Sequence, residues 1–441
     1  MQFNLFSGGV LAVISLIFTA CSNNSGGGNN GIDALNETTS TWTKQLGTTG
    51  DDAGYNVTTD TNGNLYVVGD IEGAFDGNVY NGGTDVFIVK YDARGKMQWS
   101  REAGTSGLDS GRGIAIDSEG NVYATGYTEG NLDDGVNAGN TDSFLIKYDA
   151  DGTKLWTRQF GTAGNDDGLG ISIDLNNNVY VTGFVEGGID GNVYAGGTDL
   201  FIAKYDINGN NQWIRQLGSR TNEYGRSIST DRNGNIFVTG ETYGNLDGNT
   251  NSGGITDLFI AKYDTNGTKQ WTRQLGTKVK VDSNGITTDT NGNIYITGSA
   301  HGSFDKNIKA GAYPGFFIMK FDTDGIMQWA HQLNTDSWDS GNGITIDING
   351  DIYITGYTDG SLDGKVEPYL WDLFVAKYDS NGTEKWVTQL DTRGGVYGFG
   401  ITADTNGIYV TGYSGGTLDG SSNAGGDDLI IVKYNTNGVR Q

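Results

Sequence analysis

Seven copies of a tryptophan-centred segment, spaced 57 or 58 residues apart, predict an all-β fold built from repeated units. The composition agrees, because 73 glycines and only 2 prolines in 441 residues are typical of short strands joined by tight turns. Each unit contains four strand-like segments, so the sequence predicts a seven-bladed β-propeller with four antiparallel strands per blade. The repeated tryptophans, which we expect to be structural core residues, are Trp42, Trp99, Trp156, Trp213, Trp271, Trp329 and Trp386.

The first two segments of each unit form a predicted hairpin. The first alternates apolar and polar residues, as in residues 113–117 (GIAID), and ends in aspartate in all seven units. A turn such as residues 61–64 (TNGN) follows, and its glycine accepts the positive φ that a tight hairpin turn requires. The second strand, VYATG or IYITG, comes directly after the turn.

The third segment is apolar on both alternating faces, as in residues 87–92 (FIVKYD). This pattern is expected for a strand that neighbouring blades cover on both sides. Its lysine recurs in all seven units, which favours a structural role with the stem packed and the ammonium paired near the rim. The fourth segment carries the repeated tryptophan.

Residues 41–47 (TWTKQLG) resemble a fourth strand but precede the first hairpin. In other units the tryptophan follows the turn glycine by four residues, as in Gly382 and Trp386. After Gly438 the chain ends at Gln441, one position too early for another tryptophan. We therefore predict that the strand at residues 41–47 completes the C-terminal blade and closes the ring.

The arrangement GIAID, turn, GNVYATG, FLIKYD and tryptophan resembles the bacterial beta-propeller-repeat proteins of the SBBP family. The resemblance covers the chain from Thr41 onward, and the propeller is assigned to residues 41–441. It implies an exported or surface-displayed interaction module, and it brings no shared catalytic residues.

The amino terminus predicts export and lipid anchoring. A short apolar run at residues 9–19 suits the core of a signal peptide, assigned to residues 1–20. Cys21 follows Phe18, Thr19 and Ala20 as in a bacterial lipobox, so we expect it to be lipidated, for example with palmitate. Phe18 and the absence of Lys or Arg from residues 1–6 depart from that pattern, which leaves ordinary cleavage with a free thiol as the alternative.

Residues 21–40 are rich in Gly, Asn, Ser and Thr and form a predicted flexible tether behind the anchor. Ser22 resembles the residue that directs lipoproteins to the outer membrane, where the propeller would face the cell surface or the periplasm. The net charge of −25 argues against nucleic acid and anionic lipid headgroups as partners. Membrane contact is thus expected through the lipid anchor alone, and the protein is expected to be monomeric.

Loops between the second and third strands, together with the inter-blade loops, should lie on one face and carry any binding site. These loops repeat an acidic pattern, at best LDGNxxxGGxTD, whose oxygen atoms suit calcium. Asp-Gly is equally common as turn chemistry, and a full EF-hand loop is missing from the sequence, so both interpretations stay open. The calcium candidates are Asp76, Asp133, Asp190, Asp247, Asp305, Asp363 and Asp419.

Departures from the repeat concentrate in the fifth and sixth units, and a specific ligand needs such asymmetry. Exposed aromatic side chains there are expected to form a platform for a sugar ring or a protein partner, with loop drift as the alternative. The candidate binding patch consists of His301, Tyr313, Trp338, Tyr369 and Trp371.

The sequence shows no recognisable catalytic constellation. His301 and His331 are the only histidines and Cys21 the only cysteine, which excludes the common zinc and Cys/His sites. We therefore expect no enzyme and no cofactor, with calcium as the open alternative. The predicted function is an exported, lipid-anchored scaffold or adhesin at the bacterial cell envelope, with an unknown protein or glycan as partner. The alternative is a carbohydrate-binding or carboxylate-dependent glycan-active protein that uses the long-loop face.

Overall fold

The computed structural model describes residues 42–304, 313–335, 337–362, 364 and 370–441. Within these residues, 28 strands form seven antiparallel sheets of four strands each, which confirms the predicted seven-bladed β-propeller. These described residues contain no helix that is long and apolar enough to cross a bilayer. The predicted signal peptide, lipidated Cys21 and tether lie outside the described residues, as do Asp305, Asp363 and Tyr369.

Blade 1 consists of β2 (Ala53–Thr59), β3 (Leu65–Ile71), β4 (Asp85–Tyr91) and β5 (Met97–Ala103). Blade 2 consists of β6 (Asp109–Ile116), β7 (Val122–Thr128), β8 (Asp142–Tyr148) and β9 (Lys154–Phe160). Blade 3 consists of β10 (Asp166–Ile173), β11 (Val179–Val185), β12 (Asp199–Tyr205) and β13 (Asn211–Leu217). Blades 4 and 5 consist of β14 (Glu223–Thr230), β15 (Ile236–Thr242), β16 (Asp257–Tyr263) and β17 (Lys269–Leu275); and β18 (Lys280–Thr288), β19 (Ile294–His301), β20 (Gly315–Phe321) and β21 (Met327–Leu333). Blades 6 and 7 consist of β22 (Asp339–Ile346), β23 (Ile352–Thr358), β24 (Asp372–Tyr378) and β25 (Glu384–Leu390); and β26 (Val396–Asp404), β27 (Gly407–Ser414), β28 (Asp428–Tyr434) and the N-terminal β1 (Lys44–Leu46).

The core lies between the blades. Each hydrophobic cluster draws side chains from two neighbouring blades, as where Val68 and Ile88 of blade 1 pack with Ile114 and Phe144 of blade 2. The first strand of each blade is the innermost one. The first strands of blades 7 and 1 lie so close that a Cβ on Gly400 would lie 2.8 Å from Cα of Asn56. Burial between sheets, rather than within one sheet, therefore holds the ring together.

Strand β1 closes the ring as the sequence predicts. It pairs antiparallel with β28, with Lys44 opposite Ile431 and Leu46 opposite Leu429. The Trp42 amide donates to the carbonyl of Gln441 at 2.9 Å, so the two ends of the propeller are hydrogen bonded. The Trp42 side chain, 8% exposed, packs in a cluster with Val57 of blade 1, and β1 thereby joins the last blade to the first.

The aspartate that ends each first strand organises the following turn. Oδ1 of Asp60 accepts hydrogen bonds from the amides of Asn62 and Asn64, both at 2.9 Å, while Gly63 takes a φ of 76°. Oδ2 accepts from the Tyr66 hydroxyl at 3.1 Å. These bonds fix the hairpin register, which gives the repeated aspartate a structural role.

The repeated lysine joins adjacent blades. Nζ of Lys90 donates to the carbonyl of Ala150 in the next blade at 2.8 Å and lies 5.1 Å from the ring centre of Tyr66. The Trp99 indole donates to the same carbonyl at 3.2 Å. Trp42 and Trp99 are buried, whereas the other five repeated tryptophans are partly exposed at the outer strand. Equivalent lysine bonds to the following blade are made by Lys147, Lys204, Lys262, Lys320 and Lys377.

Candidate functional site

The loop aspartates considered for calcium lie against the outer strands of the blades. Asp76 accepts a hydrogen bond from the Ser100 hydroxyl of β5 at 3.0 Å. Asp133 forms an ion pair with Lys154, Asp247 one with Lys269, and Asp419 one with Arg440. The five aspartates of this set that the structure describes have φ between 51° and 54°, a left-handed turn conformation. Turn chemistry, together with an ion pair for three of them, thus accounts for their placement.

No group of three or more His, Cys, Asp or Glu side chains is arranged to hold a metal ion within the described ranges. The calcium hypothesis stays a prediction, and Asp305 and Asp363 belong to it without a described position.

Three members of the predicted binding patch come together on the long-loop face. The rings of His301 and Trp338 lie 5.5 Å apart in an edge-on arrangement, and those of Tyr313 and Trp338 lie 6.3 Å apart. Tyr313 is 43% exposed and Trp338 47% exposed. Burial and the nearby Lys280 ammonium lower the pKa of His301, which favours its neutral form at pH 7. We call these three residues the aromatic trio.

Trp371 belongs to a different cluster. Its ring lies 5.2 Å from that of Tyr357 and 6.0 Å from that of Tyr397. Tyr397 and Tyr357 are in turn 5.2 Å apart, near the loop-side ends of the strands of blades 6 and 7. The predicted patch is therefore divided, with Trp371 contacting rings that lead towards the centre of the propeller.

A central cavity of about 530 Å³ is the feature that sequence analysis missed. Every first strand shifts register by one residue, as between Gly111 and Gly113, and the bulged residue leaves the ladder. All seven bulged residues line the cavity, and we call them the axial ring. Its members are Tyr55, Arg112, Leu169, Arg226, Asn284, Asn342 and Phe399.

One side of the cavity mouth is charged. Arg226 forms two hydrogen bonds from Nε to the Glu241 carboxylate at 3.0 and 3.1 Å, and the Glu241 side chain is only 4% exposed. Arg112 lies 4.1 Å from the ring centre of Tyr55, and its buried Nε has no hydrogen-bond partner among the described residues. The carboxylates of Asp167 and Asp70 hold the pKa of Arg112 above its usual range.

Asp167 lies close enough to both arginines to affect the pKa of each. Burial raises the pKa of Asp167 to about 6, although the two guanidiniums oppose that shift. Its Oδ1 is buried and has no hydrogen-bond partner in the described part of the chain. Lys280 and Asp282 form a further ion pair of 2.6 Å in this region. The charged sector comprises Arg112, Asp167, Arg226, Glu241, Lys280 and Asp282.

The rest of the mouth, across blades 1, 7 and 6, is aromatic. Tyr55 lies 5.5 Å from Phe399, and Phe399 lies 5.6 Å from Tyr413. Tyr413 stacks on Tyr397 at 4.7 Å, and the chain of contacts continues through Tyr357 to Trp371. We call this continuous row across blades 1, 7 and 6 the aromatic sector. Its rings are partly exposed, as a surface for ligand stacking requires.

A signal for the axial ring was present in the sequence. The first strand reads Gly-x-Gly in most blades, and x is the position that changes between arginine, leucine, asparagine and phenylalanine. Glycine on both sides of a varying residue, in four of the seven blades, indicates a position where the fold leaves the side chain free.

The SBBP beta-propeller repeat matches residues 41–76, 98–133, 155–183, 212–247, 270–305 and 328–363. An uncharacterized WD repeat-containing protein of Acanthamoeba polyphaga mimivirus is 25% identical over 83% of this chain. The regulatory protein FlaEY of Caulobacter vibrioides is 26% identical over 37% of this chain. The matches span only 35% and 20% of these relatives' lengths. A crystal structure of a puromycin hydrolase mutant, complexed with PGG, superposes with a TM-score of 0.51 and 11% identity, covering 89% of this chain and 53% of that one. It shows similarity of fold alone.

Proposed function

Because six copies of the beta-propeller repeat match this chain, we propose that it is an exported, lipid-anchored scaffold or adhesin that binds a protein partner at the bacterial cell envelope. The aromatic trio of His301, Tyr313 and Trp338 is the observation that supports this proposal. It breaks the repeat, Tyr313 and Trp338 are exposed, and it lies on the face that carries the long loops.

Exposed aromatic side chains are the residues most often responsible for binding energy in protein interfaces, because they bury a large area with few rotatable bonds. Trp338 has its backbone fixed, since its carbonyl accepts a hydrogen bond from the amide of Asp359 at 2.9 Å. A fixed backbone with an exposed indole lowers the entropy lost on binding. The trio is therefore suited to act as an anchor for a partner.

Photo-crosslinking in intact cells tests the partner surface. A photoreactive phenylalanine analogue at Trp338 should crosslink to a discrete protein, whereas the same analogue at Tyr194 should not. Tyr194 is a matched control because it is 40% exposed, lies in a long loop and belongs to a regular blade. Crosslinking of equal strength and pattern from both positions would contradict the proposal.

The anchor and the orientation need separate experiments. Metabolic labelling with a palmitate analogue should label the wild-type chain and not Cys21→Ala, because only the cysteine thiol accepts the lipid. Protease treatment of whole cells then distinguishes the two orientations, since a surface-exposed propeller is cleaved before the envelope is opened. An unlabelled wild-type chain would contradict lipid anchoring.

A further inference from the structure

The mouth of the central cavity combines features that the protein-partner proposal does not use. The cavity volume of about 530 Å³ lies within the roughly 300–1,000 Å³ of small-molecule sites. Its axial ring is chemically uneven, with Arg112 and Arg226 in blades 2 and 4, Asn284 and Asn342 in blades 5 and 6, and Phe399 and Tyr55 in blades 7 and 1. A ligand bound there would meet cationic, amide and aromatic groups in different directions.

The charged sector leaves hydrogen-bonding capacity unused. Arg112 Nε and Asp167 Oδ1 are both buried, and neither has a partner among the residues that the structure describes. One is a donor and the other an acceptor. Buried polar atoms of this kind normally bind protein, water or ligand. Of the two residues, Arg112 lines the cavity, so a ligand that accepts a hydrogen bond from its Nε matches this sector.

The charges of this sector nearly cancel. Arg226 is paired with Glu241, Lys280 is paired with Asp282, and Arg112 lies near Asp70 and Asp167. A phosphate or another strong anion would meet these carboxylates as well as the guanidiniums, and a free cation would meet the arginines. Neutral ligands with many hydrogen-bonding groups are therefore favoured.

The aromatic sector supplies a surface for an apolar face. Phe399 lines the cavity itself, and Tyr413 and Tyr397 continue from it as a stacked pair with ring centres 4.7 Å apart. A pyranose has this combination of properties, because its hydroxyl groups donate and accept at the edge while its C–H groups form an apolar face. The Arg112 guanidinium carries several N–H donors in a fixed plane, to which hydroxyl oxygens can be acceptors.

We propose that the mouth of the central cavity is a binding site for a neutral saccharide, whose ring stacks on the aromatic sector while its hydroxyl groups bind Arg112 and the neighbouring polar side chains. This site is separate from the aromatic trio, so the scaffold proposal and the saccharide proposal fail independently. The proposed binding is noncovalent, and no covalent bond forms or breaks.

Saturation-transfer NMR with purified full-length protein tests the site, using cellobiose, maltose and N,N′-diacetylchitobiose as probes at millimolar concentrations. At least one probe should give a saturable signal. Arg112→Lys keeps the charge but removes the planar fork, and Phe399→Leu keeps an apolar side chain but removes the ring. Each variant should weaken binding about tenfold.

Trp338→Ala is the control, since it removes an exposed ring outside the cavity and should leave saccharide binding unchanged. Thermal unfolding of each variant shows that it is folded before binding is compared. The proposal is overturned when none of the three sugars saturates, or when both cavity variants bind within twofold of wild type. Saturation by the tripeptide Ala-Tyr-Ala and by no sugar would assign the cavity to peptide and equally overturn it.

Discussion

Glu102 interrupts a glutamine contact that five of the other six fourth strands make in full; in blade 5, Gln332 donates to the Gly302 carbonyl but its Oε1 has no partner among the described residues. In blade 2, Gln159 accepts from the Leu132 amide at 2.9 Å and donates to the Gly130 carbonyl and to Asp142 at 2.9 and 3.1 Å. The other glutamines at this position are Gln45, Gln216, Gln274, Gln332 and Gln389.

Glu102 keeps only the first of these bonds, because Oε1 accepts from the Phe75 amide at 2.8 Å. Oε2 takes the place of the glutamine nitrogen and is buried without a partner among the described residues. Burial, reinforced by the charge of Asp85, raises the pKa of Glu102 to about 7. An ionised carboxylate at this position is therefore unfavourable.

We expect Glu102→Gln to stabilise the protein at pH 8. A rise in pKa from 4.5 to about 7 corresponds to ~3 kcal/mol, and solvent screening of this partly exposed group leaves about 1–2 kcal/mol. Because the pKa is higher in the folded state, the contribution of Glu102 to stability is present below pH 4.5 and is lost as the pH rises through 7. The gain from the substitution should thus be full at pH 8 and small at pH 4.5.

Urea unfolding followed by tryptophan fluorescence at the two pH values measures this gain. The thermal midpoint at pH 8 should also rise by about 2 °C for a protein of this size. Glu119→Gln is the matched control, since Glu119 is an exposed residue of a turn and its substitution should change neither value. A variant no more stable than wild type at pH 8, or equally stabilised at both pH values, would refute the reasoning.

Three further predictions concern the ring and its loops. Deletion of residues 41–47 should lower the thermal midpoint strongly because β28 loses its outer neighbour β1, whereas deletion of residues 22–40 should leave it nearly unchanged; equal effects would contradict ring closure by β1. Trp99→Ala should lower the free energy of unfolding by about 3 kcal/mol in a urea titration, since the indole packs between Tyr66 and Tyr148, and a loss below 1 kcal/mol would show that it is not a core residue. Adding EDTA should leave the thermal midpoint unchanged because loop aspartates such as Asp133 pair with lysines, and a fall of several degrees would instead show bound calcium.

Much of the fold could be predicted because it depends on local patterns that recur. The alternation of the first strand, the Asn-Gly turn and the fully apolar third strand each define one segment, and repetition defines the blade. The candidate patch was predictable only in part. His301, Tyr313 and Trp338 do meet, whereas Trp371 contacts Tyr357 and Tyr397 instead. Loop positions on one face do not fix which rings touch.

The sequence by itself determined the period, the four strands of each blade and closure by β1, since each rests on residues close together in the chain or on the count of repeats. Only the tertiary structure decided the axial ring and its two sectors. Tyr55, Arg112 and Phe399 come from the separate blades 1, 2 and 7, and a one-residue bulge in each first strand directs them to a common axis. The raised pKa values of Asp167 and Glu102 have the same origin, because burial and neighbouring charges exist only once the blades have packed.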